Sequence, residues 1–557
     1  MDNPRGKLNV SSQTSANQAV AADPTRNVWV KANAGSGKTF VLSRRVLRLL
    51  INKVPPEEIL CLTYTKAAAA EMRARVGKEL GSWAVYDDQK LFDEIEKLEG
   101  EKPSDEKLAF ARQLFARALE TPGGLKINTI HAFSESVLHR FPLEAGVPFD
   151  FKVIDDAEQT QLLVAAREEV LANRDGDADL QVAIDKLFDI ESDFGLEKAI
   201  NAALGYGAKL PMVIANKARA KTLLSKLLGL SADSSLETLT HEICNSPHLP
   251  FSEYKTVHEE LTHLGVAKRF NVKLTKQLSR PNTPENILST FLSAEGKMPG
   301  KGHEAHSGVA KHNPALAARL QNETERLFGL SQSYLAAKTV EHSLALLDVL
   351  IALYARYTAK KRARSLLDFD DLIIHLRQLL EHSEFAAWIA YKLDAGISHI
   401  LVDESQDTNP EQWRIVEALL NDFFDGESAI ERPRSAFAVG DEKQSIFSFQ
   451  GAEPRLFPET GRKLGLQALT AKKPWSDITL KTSFRTVRTI LEAVDLVFAR
   501  PEAHRGLTGD DEKTVHEAAR EMDGGRVQIW PAIEKPDEDE QPEGYAVEAK
   551  VPRARPE

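Results

Sequence analysis

Ala32-Asn33-Ala34-Gly35-Ser36-Gly37-Lys38-Thr39 decides how this chain folds. The tract sits between a short apolar segment, Val28 to Val30, that reads as a strand, and an amphipathic run, Phe40 to Leu50, that reads as a helix. Small residues at such a junction let successive backbone N–H groups turn inward on an anion, and the helix N-terminus adds its partial positive charge. Lys38 is then placed to reach terminal phosphates and Thr39 to offer a hydroxyl to Mg²⁺. This is the G-x-x-x-x-G-K-T phosphate cradle with Ala32 standing where its first glycine is usual.

A cradle says only that a nucleoside triphosphate binds. Far downstream, His399-Ile400-Leu401-Val402 reads as a buried parallel strand ending on Asp403-Glu404 and followed by Ser405-Gln406-Asp407-Thr408. Adjacent acids at the carboxyl edge of such a strand point to opposite sides of the pleat. One can hold Mg²⁺ while the other orients and deprotonates an attacking water.

The distance along the chain from Lys38 to Asp403 implies a large insertion in the nucleotide-binding unit. Further motifs narrow the class. Leu62-Thr63-Tyr64-Thr65-Lys66-Ala67-Ala68-Ala69-Ala70-Glu71-Met72-Arg73 starts as a strand and runs into a helix that buries Met72 and Val76. Thr129-Ile130-His131-Ala132-Phe133-Ser134 follows a Gly-Gly break in the same manner. Two more tracts come later, Gly440-Asp441-Glu442-Lys443-Gln444-Ser445-Ile446-Phe447-Ser448-Phe449-Gln450-Gly451-Ala452 and Leu480-Lys481-Thr482-Ser483-Phe484-Arg485.

With these motifs in this order, the chain resembles the superfamily 1 DNA helicases of the UvrD, Rep and PcrA kind, from about residue 15 to residue 490. Leu366-Leu367-Asp368-Phe369-Asp370-Asp371-Leu372-Ile373 makes it most like their double-strand-break-repair branch, the AddA helicase subunit of bacterial AddAB enzymes. The resemblance implies an α/β fold: a RecA-like P-loop domain with a parallel sheet, a large, mostly helical insertion, and the start of a second RecA-like domain. The expected division is 1–150 with 366–455 for the ATP-binding domain, 151–365 for the insertion, 456–533 for the second domain, and 534–557 for a linker or disordered tail.

The resemblance also implies roles. Gln18 would read the adenine edge, and the cradle residues Ala32, Asn33, Ala34, Gly35, Ser36, Gly37, Lys38 and Thr39 would hold the phosphates of ATP. Asp403 would hold Mg²⁺ with Thr39, and Glu404 would activate water. Gln444 would sense the γ-phosphate, Arg485 would act as an arginine finger, and Phe484 would stack on or beside the adenine. Thr63, Tyr64, Thr65, His131 and Phe449 would form the DNA track. Their chemistry suits it, since hydroxyls meet phosphate or sugar and aromatic faces stack on unpaired bases. The weaker alternative is that Tyr64 and Phe449 are core aromatics and His131 a structural histidine. Relatives commonly carry Trp-Arg at the positions of Phe449-Gln450.

Two functional readings follow. One is an ATP-dependent DNA helicase or translocase, 3′ to 5′ by resemblance, acting on single-stranded and duplex DNA in double-strand break repair with an AddB-like partner subunit. The other is an ATP-responsive single-stranded DNA binding module without sustained turnover. The latter is raised because the later helicase motifs of the family are not found before Glu557, so that the chain reads as the first half of a longer protein. An unrelated P-loop kinase or GTPase does not account for the tract from Gly440 to Ala452.

Composition agrees with a multidomain intracellular enzyme. The 557 residues are 42% hydrophobic and 27% charged. Two cysteines, Cys61 and Cys244, exclude a disulfide framework and a thiolate zinc site. Neither a signal peptide nor a membrane span is read from the sequence: the most apolar run, Leu344 to Tyr357, is broken by Asp348 and Arg356, so a cytoplasmic location is expected. A net charge of −11 argues against a globally basic surface and leaves room for a confined DNA groove. The best basic cluster, Arg356, Lys360, Lys361, Arg362 and Arg364, reads as a solvated helix end or a DNA contact. Residues 280–314 read as an irregular connector, and Asp87 to Lys107 as a surface helix or hairpin.

Overall fold

Strands whose residues alternate between two apolar faces form the centre of the molecule. The computed structural model describes residues 8–532, apart from 122–123, 173–175, 206–208, 232–233, 294–295, 301–303, 382–384, 395, 425–432, 509–513 and 521–523. The expected tail at 534–557 lies outside the described residues. Ten strands are present among them: β1 (Asn27–Ala32), β2 (Ile59–Thr63), β3 (Lys126–Thr129), β4 (Lys152–Val153), β5 (Leu366–Leu367), β6 (His399–Val402), β7 (Ser435–Gly440), β8 (Trp475–Leu480), β9 (Thr482–Val487) and β10 (Glu517–Arg520). Six make one parallel sheet in the order β3-β2-β6-β7-β1-β8.

Both faces of that sheet are covered, as a parallel sheet requires. Leu60, Leu62, Ile400, Val402, Ala436 and Ala438 face one core, roofed by helices Ile130–Arg140, Phe369–Glu381 and Leu456–Thr470. Ile59, Cys61, Leu401, Phe437 and Val439 face the other, under helices Lys38–Ile51 and Lys66–Val85. Burial pushes the Cys61 thiol far up, so it acts as a small apolar group. The run from Asp87 takes the helical form of the two expected, with one face buried. It forms helix Asp88–Glu99 and leads into Asp105–Glu120, and Leu91, Ile95 and Leu98 are buried in the second core.

The sheet extends past the expected boundary at 455. β8 pairs along its whole length with β1, from Asn27 opposite Trp475 to Ala32 opposite Leu480, so residues up to 480 belong to the first sheet. The reason is visible at Trp29, which stacks with Trp413, Phe457 and Trp475 at centroid distances of 5.7, 4.9 and 6.1 Å. Three of these rings lie on segments that only the closed sheet brings together.

The insertion leaves and re-enters through a paired root. β4 lies parallel to β5, with Lys152 opposite Leu366 and Val153 opposite Leu367. Its spine is one helix, Pro314–Ala363, about 75 Å long at 1.5 Å per residue. Around it pack helices Asp156–Leu171, Ala178–Phe188, Lys217–Leu227 and Leu236–Cys244. The expected irregular connector contains helix Pro284–Phe291, capped by Thr283 and started by Pro284 at its first turn. Residues 294–295 and 301–303 of that connector lie outside the described residues.

The reading of the basic cluster is corrected at Lys361. Lys361 is 3% exposed and bonds the carboxylates of Asp368 (2.6 Å) and Asp371, while Tyr357 donates to Asp368 at 2.7 Å. Lys360 pairs with Glu169 at 2.6 Å. Lys361 thus ties the spine helix to the tract after β5 and Lys360 ties it to helix Asp156–Leu171, while Arg356, Arg362 and Arg364 are exposed.

Candidate nucleotide and DNA site

Helix Lys38–Ile51 has no side-chain cap; its N-cap is Gly37 at φ 93°, after Gly35 at φ 73°. Left-handed backbone of this kind is what glycine permits, and it turns the loop amides toward one point at the helix N-terminus. Ala32 ends β1 and is buried, Asn33 donates its backbone N–H to the Leu480 carbonyl at 3.0 Å, and Ala34 is exposed. Ser36 Oγ is buried without a hydrogen-bond partner, a free polar atom in the wall of the cradle. The Gln18 amide, on helix Ser12–Ala21, reaches the Ser36 carbonyl at 3.5 Å and borders Gly37.

β6 delivers the two acids to this loop. Asp403 is 6% exposed. Burial and the adjoining Glu404 push its carboxyl up to about 7, with Lys38 pulling the other way. Glu404 has φ 47°, a left-handed turn unusual for a side chain of its size, and the chain leaves the strand there. Lys38 Nζ donates to Glu404 Oε2 at 2.7 Å. Thr39 starts the same helix, half-buried beside Lys38. A hydroxyl and a carboxylate are hard oxygen donors of the kind Mg²⁺ prefers, and the orphan Ser36 Oγ with the glycine amides suits phosphate oxygens, so the residues fit Mg²⁺-ATP.

The segment after β8 closes on the loop. The Phe484 N–H donates to the Gly35 carbonyl at 2.8 Å, and a Cβ on Gly35 would lie 2.7 Å from Arg485 Cβ. Phe484 is half-buried and Arg485 exposed. The helix carrying Gln18 is tied to the same segment through Thr14 Oγ1 and Thr482 Oγ1, 2.7 Å apart. Gln18, the cradle, Asp403, Glu404, Phe484 and Arg485 therefore meet at one place.

Of the other expected residues, Tyr64 and Phe449 meet at Phe447. The Tyr64 hydroxyl donates to Gln450 Oε1 at 2.6 Å, and its ring lies 4.7 Å from that of Phe447. Phe449, 72% exposed and 6.0 Å from Phe447, is no core aromatic. Thr63 differs from expectation: it is 1% exposed and its hydroxyl donates to the Thr65 carbonyl at 3.1 Å, so it fastens the loop from inside. Thr65 Oγ1 caps helix Lys66–Val85 by accepting from Ala68 N–H at 3.1 Å. His131 meets Phe369 edge-on at 5.5 Å, and burial and nearby Lys66 lower its pKa, favouring the neutral ring. Gln444 donates to the Asp441 carboxylate, not to the cradle.

Sequence reasoning missed Gln406. It is 2% exposed and lies between Glu404 and Asp441, bonded to both. The available signal was its position two residues after the acid pair. Among the described residues no helix is long and apolar enough to cross a membrane.

Comparison with known proteins agrees with this geometry. The sequence profile of the UvrD/REP helicase N-terminal domain matches residues 12–464. The chain is 24% identical over 570 aligned positions to an ATP-dependent helicase/nuclease subunit from Anoxybacillus flavithermus, covering 94% of this chain and 44% of that protein. It is 28% identical to the protein of the same name from Desulforudis audaxviator, with 87% and 40% covered. The Enterococcus faecalis protein of that name is also 28% identical, with 86% and 37% covered. The chain thus spans less than half the length of these relatives. A phosphate cradle closed by paired acids, set in a sheet of this order and matched over most of its length, makes the chain a member of the UvrD/REP helicase family.

Proposed function

We propose that the chain carries the ATP site and part of the DNA track of an ATP-dependent DNA helicase, a 3′ to 5′ translocase in double-strand break repair that works in the cytoplasm with an AddB-like partner subunit. The carrying observation is the meeting of Lys38, Glu404 and the Phe484-Arg485 segment at one loop, with the exposed Phe449 on the loop that follows β7. The names of the relatives support helicase action, and the polarity rests on family resemblance.

In this reading Lys38 and the loop amides bind the phosphates, Thr39 and Asp403 hold Mg²⁺, and Gln18 and Phe484 bind the base. Mg²⁺, when bound, supplies positive charge to the phosphate oxygens. Glu404 accepts the proton of an attacking water once Lys38 turns from its carboxylate to the phosphate, because both compete for the same ammonium. Arg485 faces the developing phosphoryl charge, a contribution of roughly 10³ to 10⁵ in rate where such fingers act. Tyr64, Phe449 and His131 grip unpaired bases, and Thr65 contacts the backbone. The domain division follows the expected one, with the first unit running to residue 480.

Steady-state ATP hydrolysis with and without single-stranded DNA, measured beside Glu404→Gln, tests this. DNA-stimulated turnover lost in the variant supports it. Tight binding of ATP and DNA without stimulated turnover supports the second reading, a nucleotide-responsive DNA-binding module. That reading draws on the exposed Arg485 and on Gln444, whose amide is turned to Asp441.

A further inference from the structure

We propose that Gln406 is the positioning residue that couples the nucleotide site to the DNA-facing aromatic loop, reading Glu404 with its amide nitrogen and moving the end of β7 with its amide oxygen. The inference rests on the proposed function and deepens it.

An amide has a donor and an acceptor on one rigid plane, and here the two ends are claimed by different parts of the site. Gln406 Nε2 donates to Glu404 Oε2 at 2.8 Å, the same oxygen that accepts from Lys38 at 2.7 Å, and at 3.3 Å to Asp407 Oδ2 in the same segment. Gln406 Oε1 accepts from the Asp441 backbone N–H at 2.9 Å. There is no slack around it. A Cβ on Gly440 would lie 2.9 Å from Gln406 Oε1 and 3.3 Å from the Phe457 ring, so the glycine is what lets β7 close on the amide.

From Asp441 the connection continues outward. Its carboxylate holds Lys443 at 2.9 Å and Gln444, the short helical turn Glu442–Gln444 follows, and the chain reaches Phe447, Phe449 and Gln450 against Tyr64. When Lys38 turns to a phosphate, Glu404 Oε2 keeps Gln406 as its donor, and any new carboxylate position must carry the amide along. With the oxygen end bonded to backbone in a packed site, that displacement reaches the aromatic loop. Buried polar chains of this sort transmit because breaking any link leaves an unpaired group.

The test is a binding linkage that does not need turnover. Binding of a fluorescent oligothymidine to the 557-residue chain is measured by anisotropy with and without a Mg²⁺-bound non-hydrolysable ATP analogue, for the parent and Gln406→Glu. Glutamate can still accept from Asp441 N–H and loses the donor to Glu404. The parent is expected to show coupling of about 5-fold or more. Gln406→Glu is expected to bring the coupling within about twofold of unity, while the affinity for the oligothymidine alone changes by less than about threefold.

Retained coupling in the variant overturns the inference, as does a parent that binds both ligands independently. Parallel loss of both separate affinities makes Gln406 a structural strut and also overturns it. A parent that binds neither ligand overturns the proposed function first, and the inference with it. If Gln406→Glu does not fold, Gly440→Ala displaces the amide from the other side and is read by the same outcomes.

Discussion

The Phe484 backbone N–H donates to the Gly35 carbonyl at 2.8 Å, joining the strand after β8 to the crown of the phosphate loop. Two segments at opposite ends of the described chain thus share one wall of the nucleotide site. The contact leaves no room for a side chain at Gly35, where an added Cβ would sit 2.7 Å from Arg485 Cβ and 2.9 Å from Ser483 Oγ, on backbone at φ 73°.

Gly35→Ala therefore strains the loop and pushes the Arg485 segment away. ATP affinity is expected to fall about tenfold or more, and stability by about 1–2 kcal/mol, the usual cost of a left-handed non-glycine residue. Nucleotide titration and a thermal melt measure both. Unchanged ATP affinity would show that Gly35 does not border the phosphates.

Lys38→Met removes the ammonium and keeps the chain length. Nucleotide binding is expected to be lost, with the melting temperature within a few degrees of the parent, because Lys38 bonds a half-exposed Glu404 rather than a buried charge. Calorimetric titration with ATP checks this, and retained affinity would move the phosphate site elsewhere.

Phe449→Ala should cost about 1–3 kcal/mol of single-stranded DNA affinity, the range for one base stacked on an aromatic face. ATP affinity and the melting temperature should hold, since the ring is 72% exposed. Oligothymidine anisotropy decides it. Equal DNA affinity in the variant would take Phe449 out of the track.

Asp370 gives a pH signature at the root of the insertion. Burial, then Asp368 and Asp371, push its carboxyl up to about 6, against the pull of Lys361. A carboxyl whose folded pKa exceeds its unfolded value of about 3.9 contributes stability that is complete below the unfolded value and lost as pH rises through the folded one. The expected loss between about pH 4 and pH 6 is on the order of 2 kcal/mol. Asp370→Asn should flatten that part of the stability curve and raise the melting temperature at pH 8. Parallel melting profiles for the two proteins would assign the pH dependence to other groups.

The nucleotide loop and its acids were legible because their chemistry is local. Gly35, Gly37 and Lys38 need only a strand before them and a helix after, and apolar runs such as Ile400 to Val402 announce a buried strand on their own. Phe449 and Thr63 show the limit: an aromatic and a hydroxyl residue read alike as core or contact until burial separates them, at 72% and 1% exposure. Lys361 is harder still, since a basic helix end looks solvated in sequence and its partners Asp368 and Asp371 meet it only through the chain reversal at β5.

The sequence by itself determined the α/β core with its parallel sheet, the phosphate loop, the acid pair and the helical character of the insertion, because each is written in residue spacing over a few turns or strand lengths. Tertiary structure alone decided that β8 belongs to the first sheet, that Phe484 and Arg485 lie against Gly35, and that Gln406 joins Glu404 to Asp441. These are long-range relationships. They follow from which strands pair and how closely backbones approach, and no local pattern encodes either.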